Sequence, residues 1–306
     1  MNTFSWSKSR HERYSECQRA YFFQYYASWG GWDSDAAPLA RELYTLKKLS
    51  NRFTWGGSVV HAAIRGVLMS IRAGRTFDEA RVIERAHEAM REDFKFSRDK
   101  AYWRSKGRKD FTGLVEHEYA EPVSSDEWKR GWANVEQALQ GFFASKWVGL
   151  ARSLSAKQWL EVDVMDFDQS FFELDGVRVF AVPDFAYREE DGRAVVVDWK
   201  TGEPREGYDD QILGYALYLQ ARHGVPLEGM RASLVYLNQG VEKDVVIEEA
   251  ALGAFRDRFR ESVSGMRALL RNPETNEPKP REAFPETPKA EVCARCVFRR
   301  PCGKVP

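Results

Sequence analysis

The sequence predicts an α/β protein with a helical first half and a sheet in the second half. Between Ser5 and Leu150 apolar side chains recur every three or four residues, which is typical of one face of a helix. After Ala156 the apolar spacing changes toward two, which is typical of a strand. The chain has 306 residues, of which 43% are hydrophobic. A globular protein with a sizeable core is therefore expected.

Tight turns separate the predicted strands of the second half. Asp175-Gly176 and Asp191-Gly192 are typical hairpin turns, because glycine accepts a positive φ. The period of two predicts strands over 159–165, 171–174, 177–182 and 194–198, arranged as an antiparallel meander. A helix over 209–222, strands over 232–237 and 244–247, and a helix over 248–270 complete an α/β core.

Composition also divides the chain into segments. Five prolines between Asn272 and Lys289 predict an extended linker on the surface. We therefore expect a helical region over 1–155, an α/β core over 156–271 and a linker with a terminal cysteine segment over 272–306, within one compact domain overall.

Charge and hydropathy restrict the partners. The 46 basic and 46 acidic side chains cancel, so a nucleic-acid partner cannot be inferred from net charge. The N-terminus lacks the apolar centre of a signal peptide, and no stretch approaches the roughly 20 apolar residues that cross a bilayer. We expect a cytoplasmic protein with no membrane partner.

Two aspartates and a lysine form the sharpest local pattern. Asp184 precedes the Asp191-Gly192 turn, and Asp198 and Lys200 follow it on the partner strand. Residues two apart on a strand share a face, so Lys200 lies beside Asp198. Carboxylate oxygens are preferred ligands of Mg²⁺ or Mn²⁺, and such ions activate water for phosphodiester hydrolysis. The alternative is a solvated, salt-bridged strand face.

This pattern resembles the PD-(D/E)XK nuclease superfamily, and the run Val195-Val-Val-Asp-Trp-Lys-Thr-Gly202 resembles its RecB-like branch. Gly56-Gly-Ser-Val-Val-His61 and Gln211-Ile-Leu-Gly-Tyr215 are similar to two further motifs of that branch, in the same order. The resemblance implies a restriction-endonuclease-like core, which is a central mixed sheet flanked by helices. It also implies that His61, Asp184 and Asp198 bind the metal, that Lys200 assists catalysis, and that Gln211 and Tyr215 position the substrate. Taken singly, His61, Gln211 and Tyr215 are also explained by ordinary packing.

The only four cysteines lie near the two chain ends. Cys293, Cys296 and Cys302 form C-x2-C-x5-C, and Cys17 stands alone. In a reducing compartment this spacing indicates metal ligation more than disulfides. The flanks of Cys17 resemble iron-sulfur nucleases such as the AddB nuclease domain and the CRISPR-adaptation exonucleases, although Gln18 replaces their usual proline. That resemblance implies a 4Fe-4S cluster joining the N- and C-termini. Zn²⁺ and unligated cysteines are the alternatives.

A basic and aromatic run offers a path for DNA. Seven basic residues lie between Lys95 and Lys109, with Phe96, Tyr102 and Trp103 among them. Such runs bind single strands, but they also occur in loops whose rings pack inward. No phosphate-loop motif is present, so unwinding requires a separate helicase or recombination protein. We expect a DNA exonuclease acting on single strands or free ends. The alternatives are a non-catalytic binding module, a structure-specific endonuclease and an enzyme acting on RNA.

Overall fold

A computed structural model describes residues 2–104, 111–163, 170–204 and 210–304. The chain forms two compact units, each built from separate stretches of sequence. Unit 1 comprises Met1–Arg52, Glu92–Pro122 and Arg258–Pro306, and unit 2 comprises Phe53–Arg91 and Val123–Asp257. The three segments inferred from composition, with boundaries at 155/156 and 271/272, remain a prediction about the organisation of the sequence.

The first half of the chain is helical, as its periodicity predicts. Ser124 caps one long helix reciprocally: its side chain accepts from Glu127 N, and the Glu127 side chain accepts from Ser124 N. The elements are β1 (Ser5–Ser7), α1 (Lys8–Glu16), α2 (Gln18–Phe22), a π-helix (Phe23–Ala27), α3 (Pro38–Leu46), α4 (Arg52–Arg72), α5 (Glu79–Arg98), a 3-10 helix (Ala101–Trp103), α6 (Val115–Glu118), α7 (Ser125–Ala144) and α8 (Lys146–Ser153).

The second half alternates strands and helices, which confirms the predicted α/β class. The predicted strand over 159–165 begins as expected, but residues 164–169 lie outside the described residues. The elements are β2 (Trp159–Val162), β3 (Phe171–Leu174), β4 (Val177–Phe180), β5 (Phe185–Arg188), β6 (Ala194–Lys200), α9 (Asp210–His223), β7 (Arg231–Tyr236), β8 (Val241–Val246), α10 (Glu249–Arg267), β9 (Leu270–Asn272), β10 (Glu277–Pro278), a 3-10 helix (Arg281–Ala283) and α11 (Ala290–Ala294).

Unit 2 contains a five-stranded mixed sheet in the order β2-β5-β6-β7-β8. β5 and β6 form the antiparallel hairpin around Asp191-Gly192, and β6 pairs in parallel with β7. The parallel pair requires a crossover connection, and α9 lies between β6 and β7 in the chain. β6 is the central strand of this sheet, and its side chains are buried except that of Lys200, its last residue.

The predicted meander is wrong in its pairing. β2 pairs with β5, in the register Val162 with Phe185, whereas β3 and β4 pair with each other as a hairpin outside the five-stranded sheet. The predicted strand over 177–182 ends at Phe180. The short strand β5 was not predicted, because four residues with an apolar run carry too little period-two signal.

The two faces of β6 pack against different helices. Trp199 packs edge-on against Phe142 of α7 and Trp147 of α8, with ring centroids 5.4 and 5.6 Å apart. α7 approaches the sheet closely, because a Cβ added at Gly141 would lie 2.1 Å from the main-chain oxygen of Leu237. Since side chains alternate along a strand, Asp198 and Lys200 face the opposite side.

The predicted surface linker over 272–289 is only partly correct. Most of its residues are exposed or half-buried, but β9 and β10 pair at its start, and Phe284 is fully buried. The Phe284 ring packs against Phe22 at a centroid distance of 4.8 Å, and Arg19 Nε donates to Phe284 O at 2.9 Å. The proline content of the segment gave no sign that one of its aromatic side chains, Phe284, packs in the core of unit 1.

Within the described residues, no helix is both long and apolar enough to cross a membrane.

Candidate metal centre and cysteine pocket

Asp184 and His61 form the first contact of the candidate metal centre in unit 2. Asp184 immediately precedes β5, and its Oδ2 accepts a hydrogen bond from Trp199 N at 2.8 Å. His61 Nδ1 lies 3.1 Å from Asp184 Oδ1. α4 carries this histidine close to the end of β6, because a Cβ added at Gly57, one turn earlier, would lie 3.3 Å from Thr201 Oγ1. The sheet and α4 together fix the orientation of the Asp184 carboxylate.

Asp198 and Lys200 lie on the same face of β6, as the period of two predicts. Asp198 is 1% exposed, and the Lys200 ammonium lies 2.5 Å from Asp198 Oδ2. A buried carboxylate is costly unless a cation lies close to it. The lysine supplies one such cation.

α9 carries the last two predicted residues to this face. Gln211 and Tyr215 are one helical turn apart and contact each other through the side-chain amide and the hydroxyl group. Lys200 Nζ donates to Gln211 Oε1 at 3.2 Å, and the Tyr215 hydroxyl donates to Asp198 Oδ1 at 3.5 Å. The Asp198 carboxylate and the Lys200 ammonium are thereby held from two sides.

Burial and neighbouring charges shift the pKa values of two side chains in this centre. Burial and the neighbouring Asp184 raise the pKa of Asp198 to about 6, although Lys200 opposes the shift. Burial would lower the pKa of His61, but its hydrogen bond to Asp184 and the charge of that carboxylate outweigh burial and raise it. The Asp198 shift comes first from burial, and the charge of Asp184 contributes to both shifts.

The sequence reasoning missed Asp163, which follows β2. Asp163 N donates to Asp184 O at 3.1 Å, and Arg65 Nε lies 3.8 Å from Asp163 Oδ2. Burial and the charge of Asp184 raise the pKa of Asp163. This position was included in a predicted strand, and its only sequence signal was an acidic residue at the end of an apolar run. Asp163 adds a third carboxylate close to the backbone of Asp184.

The chemistry of these side chains fits a hard divalent cation that keeps water ligands. Asp198 Oδ2 is buried against the Lys200 ammonium, which lies 2.5 Å away. In the described parts of the chain no three His, Cys, Asp or Glu side chains converge into a complete metal-binding group. Mg²⁺ is usually bound by one or two carboxylates, with water and substrate phosphate in the remaining positions. Asp184 and Asp198, with His61, can supply such a partial set.

Glu161 belongs to a different network in unit 2. This residue of β2 is buried, and its Oε2 accepts from the Tyr218 hydroxyl at 2.8 Å and lies 3.3 Å from His223 Nε2. Burial would raise its pKa, but the hydrogen bonds from His223 and Tyr218 lower it. Both side-chain contacts are with α9, outside the metal centre, so a structural role accounts for Glu161.

All four cysteines line one pocket in unit 1. The pocket has a volume of about 370 Å³, including its open mouth, and the cysteines are free thiols. Cys17 lies between α1 and α2, Cys293 lies in α11, and Cys296 and Cys302 follow in turns. The four predicted cluster ligands, Cys17, Cys293, Cys296 and Cys302, thus line one pocket, although within the described residues no three of them form a complete metal-binding group.

The pocket also contains charged side chains. Arg13, Arg299 and Lys304 line it together with the carboxylate of Glu286. Burial and Glu286 raise the pKa of Cys302 to about 11, and burial raises the pKa of Cys296. Thiols with raised pKa values remain protonated at neutral pH, so metal ligation at this pocket must release protons.

The rings of the predicted DNA path pack inward. Tyr102 is buried, and both its hydroxyl and Trp103 Nε1 donate to Glu118 Oε2 at 2.8 Å. Phe111 stacks on Tyr102 with ring centroids 5.7 Å apart. Residues 105–110, which include three of the basic side chains, lie outside the described residues. Tyr102 and Trp103 are therefore both held by Glu118 within unit 1.

Comparison with known proteins identifies the family of the chain. A search of curated proteins gives no significant match to the chain. The family model of the PD-(D/E)XK nuclease superfamily matches residues 5–303, nearly the whole chain. The mixed α/β architecture is consistent with the restriction-endonuclease-like fold of that superfamily, which confirms the predicted fold class. The chain belongs to the PD-(D/E)XK nuclease superfamily and is, at that level, a metal-dependent nuclease.

Proposed function

We propose that the protein is a Mg²⁺- or Mn²⁺-dependent exonuclease that hydrolyses single-stranded DNA or the free ends of DNA. One observation carries the proposal: His61, Asp184, Asp198, Lys200, Gln211 and Tyr215 come from two helices, a loop and a strand of unit 2 and meet through direct contacts. The RecB-like motifs and their order support the exonuclease assignment. A solvated, salt-bridged strand face does not require side chains from separate elements to contact one another in this way.

The residues divide into metal ligands and positioning groups. Asp184, Asp198 and His61 would hold the cation, which polarises the phosphate and lowers the pKa of a bound water when it is present. Lys200 lies beside Asp198, where its ammonium can neutralise charge that develops on the phosphate in the transition state.

Gln211 and Tyr215 act on the catalytic groups from α9. Gln211 Oε1 accepts from the Lys200 ammonium and so limits the positions that this ammonium can take. The Tyr215 hydroxyl reaches Asp198 Oδ1, and the Lys200 ammonium contacts Oδ2, so both oxygens of this carboxylate have a polar neighbour. Because Gln211 and Tyr215 lie beside Lys200 and Asp198, we propose that both also position the substrate.

We propose that the cysteine pocket holds a 4Fe-4S cluster, with Zn²⁺ as the alternative. Four thiols from the two ends of the chain line one pocket, which supports a four-thiolate site. Arg13, Arg299 and Lys304 also line the pocket, and each of them is paired with a carboxylate. The cluster would link α1 and α2 to the C-terminal segment, and its role would be structural.

The cellular setting is part of the proposal. Four free cysteines suit a reducing cytoplasm. The sequence contains no phosphate loop that could drive unwinding. The enzyme would therefore act on ends that are already single-stranded, or beside a separate helicase or recombination protein.

The proposal is tested with linear and circular single-stranded DNA of the same sequence. With Mn²⁺ the full chain should degrade the linear molecule to short products and leave the circle intact, and blocking either end should reveal the polarity. Nicking of the circle would replace the exonuclease assignment with an endonuclease. Retention of both DNAs without cleavage under any divalent cation would support a binding module instead.

The cluster proposal has its own assay on the same preparation. Anaerobically purified protein should contain iron and sulfide in equal amounts and a broad absorption in the visible range. A colourless protein loaded with zinc would replace the cluster with a zinc site and leave the candidate metal centre unaffected.

A further inference from the structure

A second group of side chains suited to ligand binding lies in unit 1. It consists of the turn that follows the π-helix and the last part of α3 with the residues after it. We call it the aromatic-lysine cluster, defined by Trp29, Trp32, Tyr44, Lys47 and Lys48. Trp29 packs edge-on against Trp32, with ring centroids 4.9 Å apart, and Trp32 packs edge-on against Tyr44 at 5.6 Å. The three rings form a continuous row.

The two lysines of this cluster lack a carboxylate partner among the described residues. Their ammonium groups lie 5.1 and 4.7 Å from the centre of the Tyr44 ring, for Lys47 and Lys48 respectively. Lys47 Nζ donates to Ser28 Oγ at 3.0 Å, and Ser28 is itself fully buried. Burial and the neighbouring Lys48 lower the pKa of Lys47 to about 8. Two adjacent, partly desolvated cations without a counter-ion are stabilised by an incoming anion.

Trp29 remains exposed although its neighbours hold it in place. It is 45% exposed, whereas Trp32 and Tyr44 are half-buried. The turn that carries it is packed tightly on α3, because a Cβ added at Gly31 would lie 2.3 Å from Ala40 O. The turn also follows directly on a π-helix, Phe23–Ala27, an irregularity that is frequent at functional sites. A fixed ring with one free surface is a platform for stacking.

We propose that the aromatic-lysine cluster binds single-stranded DNA, with a base stacked on Trp29 and the adjoining phosphates bound by Lys47 and Lys48. The inference rests on the proposed nuclease function and adds to it a substrate-binding site in unit 1. Anionic phosphates account for the lysines, and stacking of a base accounts for the exposed indole ring. An acidic peptide would account for the lysines alone.

Binding is measured on the full chain carrying Lys200→Met, without divalent cations, so that cleavage cannot occur. Trp29→Ala should weaken binding of fluorescent oligothymidylate roughly ten-fold, and Trp29→Phe should restore most of the affinity, because phenylalanine also stacks. Lys47→Met and Lys48→Met should each reduce the slope of log affinity against log salt by about 0.7. Lys129→Met is the matched control, because Lys129 is exposed and pairs with Asp126.

Three further measurements show whether a loss of binding comes from misfolding, whether it is independent of the nuclease assignment, and whether the site binds a peptide instead of DNA. Lys47→Met should not lower the melting temperature, because it removes a half-buried cation that has no counter-ion among the described residues. Trp29→Ala in the otherwise unaltered chain should hydrolyse thymidine 5′-(p-nitrophenyl phosphate) at the unaltered rate, since that substrate has one nucleoside. If no protein hydrolyses it but the binding losses appear, the nuclease assignment fails and the binding site stands. Unchanged oligothymidylate binding by Trp29→Ala and by the double lysine variant, or full displacement by polyglutamate, would overturn the site.

Discussion

The candidate metal centre of unit 2 and the cysteine pocket of unit 1 are built in different ways. The metal centre takes Asp198 and Lys200 from one strand of a hydrogen-bonded sheet, and Trp199 N of the same strand binds Asp184. The cysteine pocket takes its residues from the junction of two short helices and from the turns of the C-terminal segment. One site is fixed by regular backbone pairing, and the other depends on the chain ends.

Because the two sites are built differently, we expect the loss of a bound metal to affect the stability of the fold differently at each site. The side chains of the metal centre contact one another directly, so unit 2 should keep its structure without the cation. The cysteines are held by shorter elements, and a bound cluster would close a loop of almost the whole chain. Closing so long a loop stabilises the folded state by restricting the unfolded chain.

The largest effect is expected at the metal centre from Asp198→Asn. The substitution removes the charge of a buried ligand without changing its shape, so Mn²⁺ affinity measured by calorimetry should fall about 100-fold or more. Far-ultraviolet circular dichroism should remain unchanged. Glu189→Gln, which alters a carboxylate paired with Arg231 outside the centre, is the control. Equal Mn²⁺ binding by Asp198→Asn would remove this carboxylate from the centre.

The same variant tests the raised pKa of Asp198. A carboxyl group whose folded pKa is about 6 binds its proton more tightly in the folded chain than in the unfolded chain. Metal-free wild-type protein should therefore lose stability as the pH rises from about 4 through about 6, and Asp198→Asn should lose less. Melting temperatures measured in a chelator give this comparison. Parallel curves for the two proteins would contradict the shift.

A smaller effect, on stability, is expected from Cys293→Ser at the cysteine pocket. Loss of one ligand should release the bound metal, and each kcal/mol lost lowers the melting temperature by about 2–4 °C in units of this size. Mn²⁺ affinity at the metal centre should change little. Glu291→Ser, an exposed position of the same short helix, is the control. A melting temperature that falls equally in both variants would show that the helix matters and the ligand does not.

The smallest effect is expected from Glu161→Gln in the network with Tyr218 and His223. The folded pKa of Glu161 is lowered, so its stabilising contribution is present above the unfolded value and disappears as the pH falls through the folded value. At neutral pH the variant should lose about 1–2 kcal/mol of unfolding free energy, and the difference should vanish in acid. Urea unfolding measures it, with the exposed Glu173→Gln as the control. If Glu161→Gln loses the same unfolding free energy in acid as at neutral pH, the stabilising role of the ionised Glu161 carboxylate is contradicted.

The parts of the metal centre that depend on local periodicity could be predicted from the sequence. The period of two places Asp198 and Lys200 on one face, and the spacing of four places Gln211 and Tyr215 on one side of α9. The fold class followed from the change of period after Ala156. These features depend on neighbours in the sequence, and the structure agrees with them.

Features that depend on distant partners were not predicted. The β3–β4 hairpin at Asp175-Gly176 was predicted, but the pairing of β2 with β5 and the place of that hairpin outside the five-stranded sheet are set by packing between remote segments, which no local period records. Burial of Phe284 within a proline-rich segment and the approach of Asp163 to the backbone of Asp184 have the same origin.

The division between metal binding and catalysis in unit 2 is the central claim, and cleavage of end-labelled linear DNA by Lys200→Met tests it most directly. The matched control is Lys146→Met, whose ammonium pairs with Glu242 outside the centre. With saturating Mn²⁺ the control should degrade the DNA at the wild-type rate, whereas Lys200→Met should bind Mn²⁺ normally and cleave about 100- to 1,000-fold more slowly. Undiminished cleavage by Lys200→Met would contradict the assignment of the hydrolytic centre.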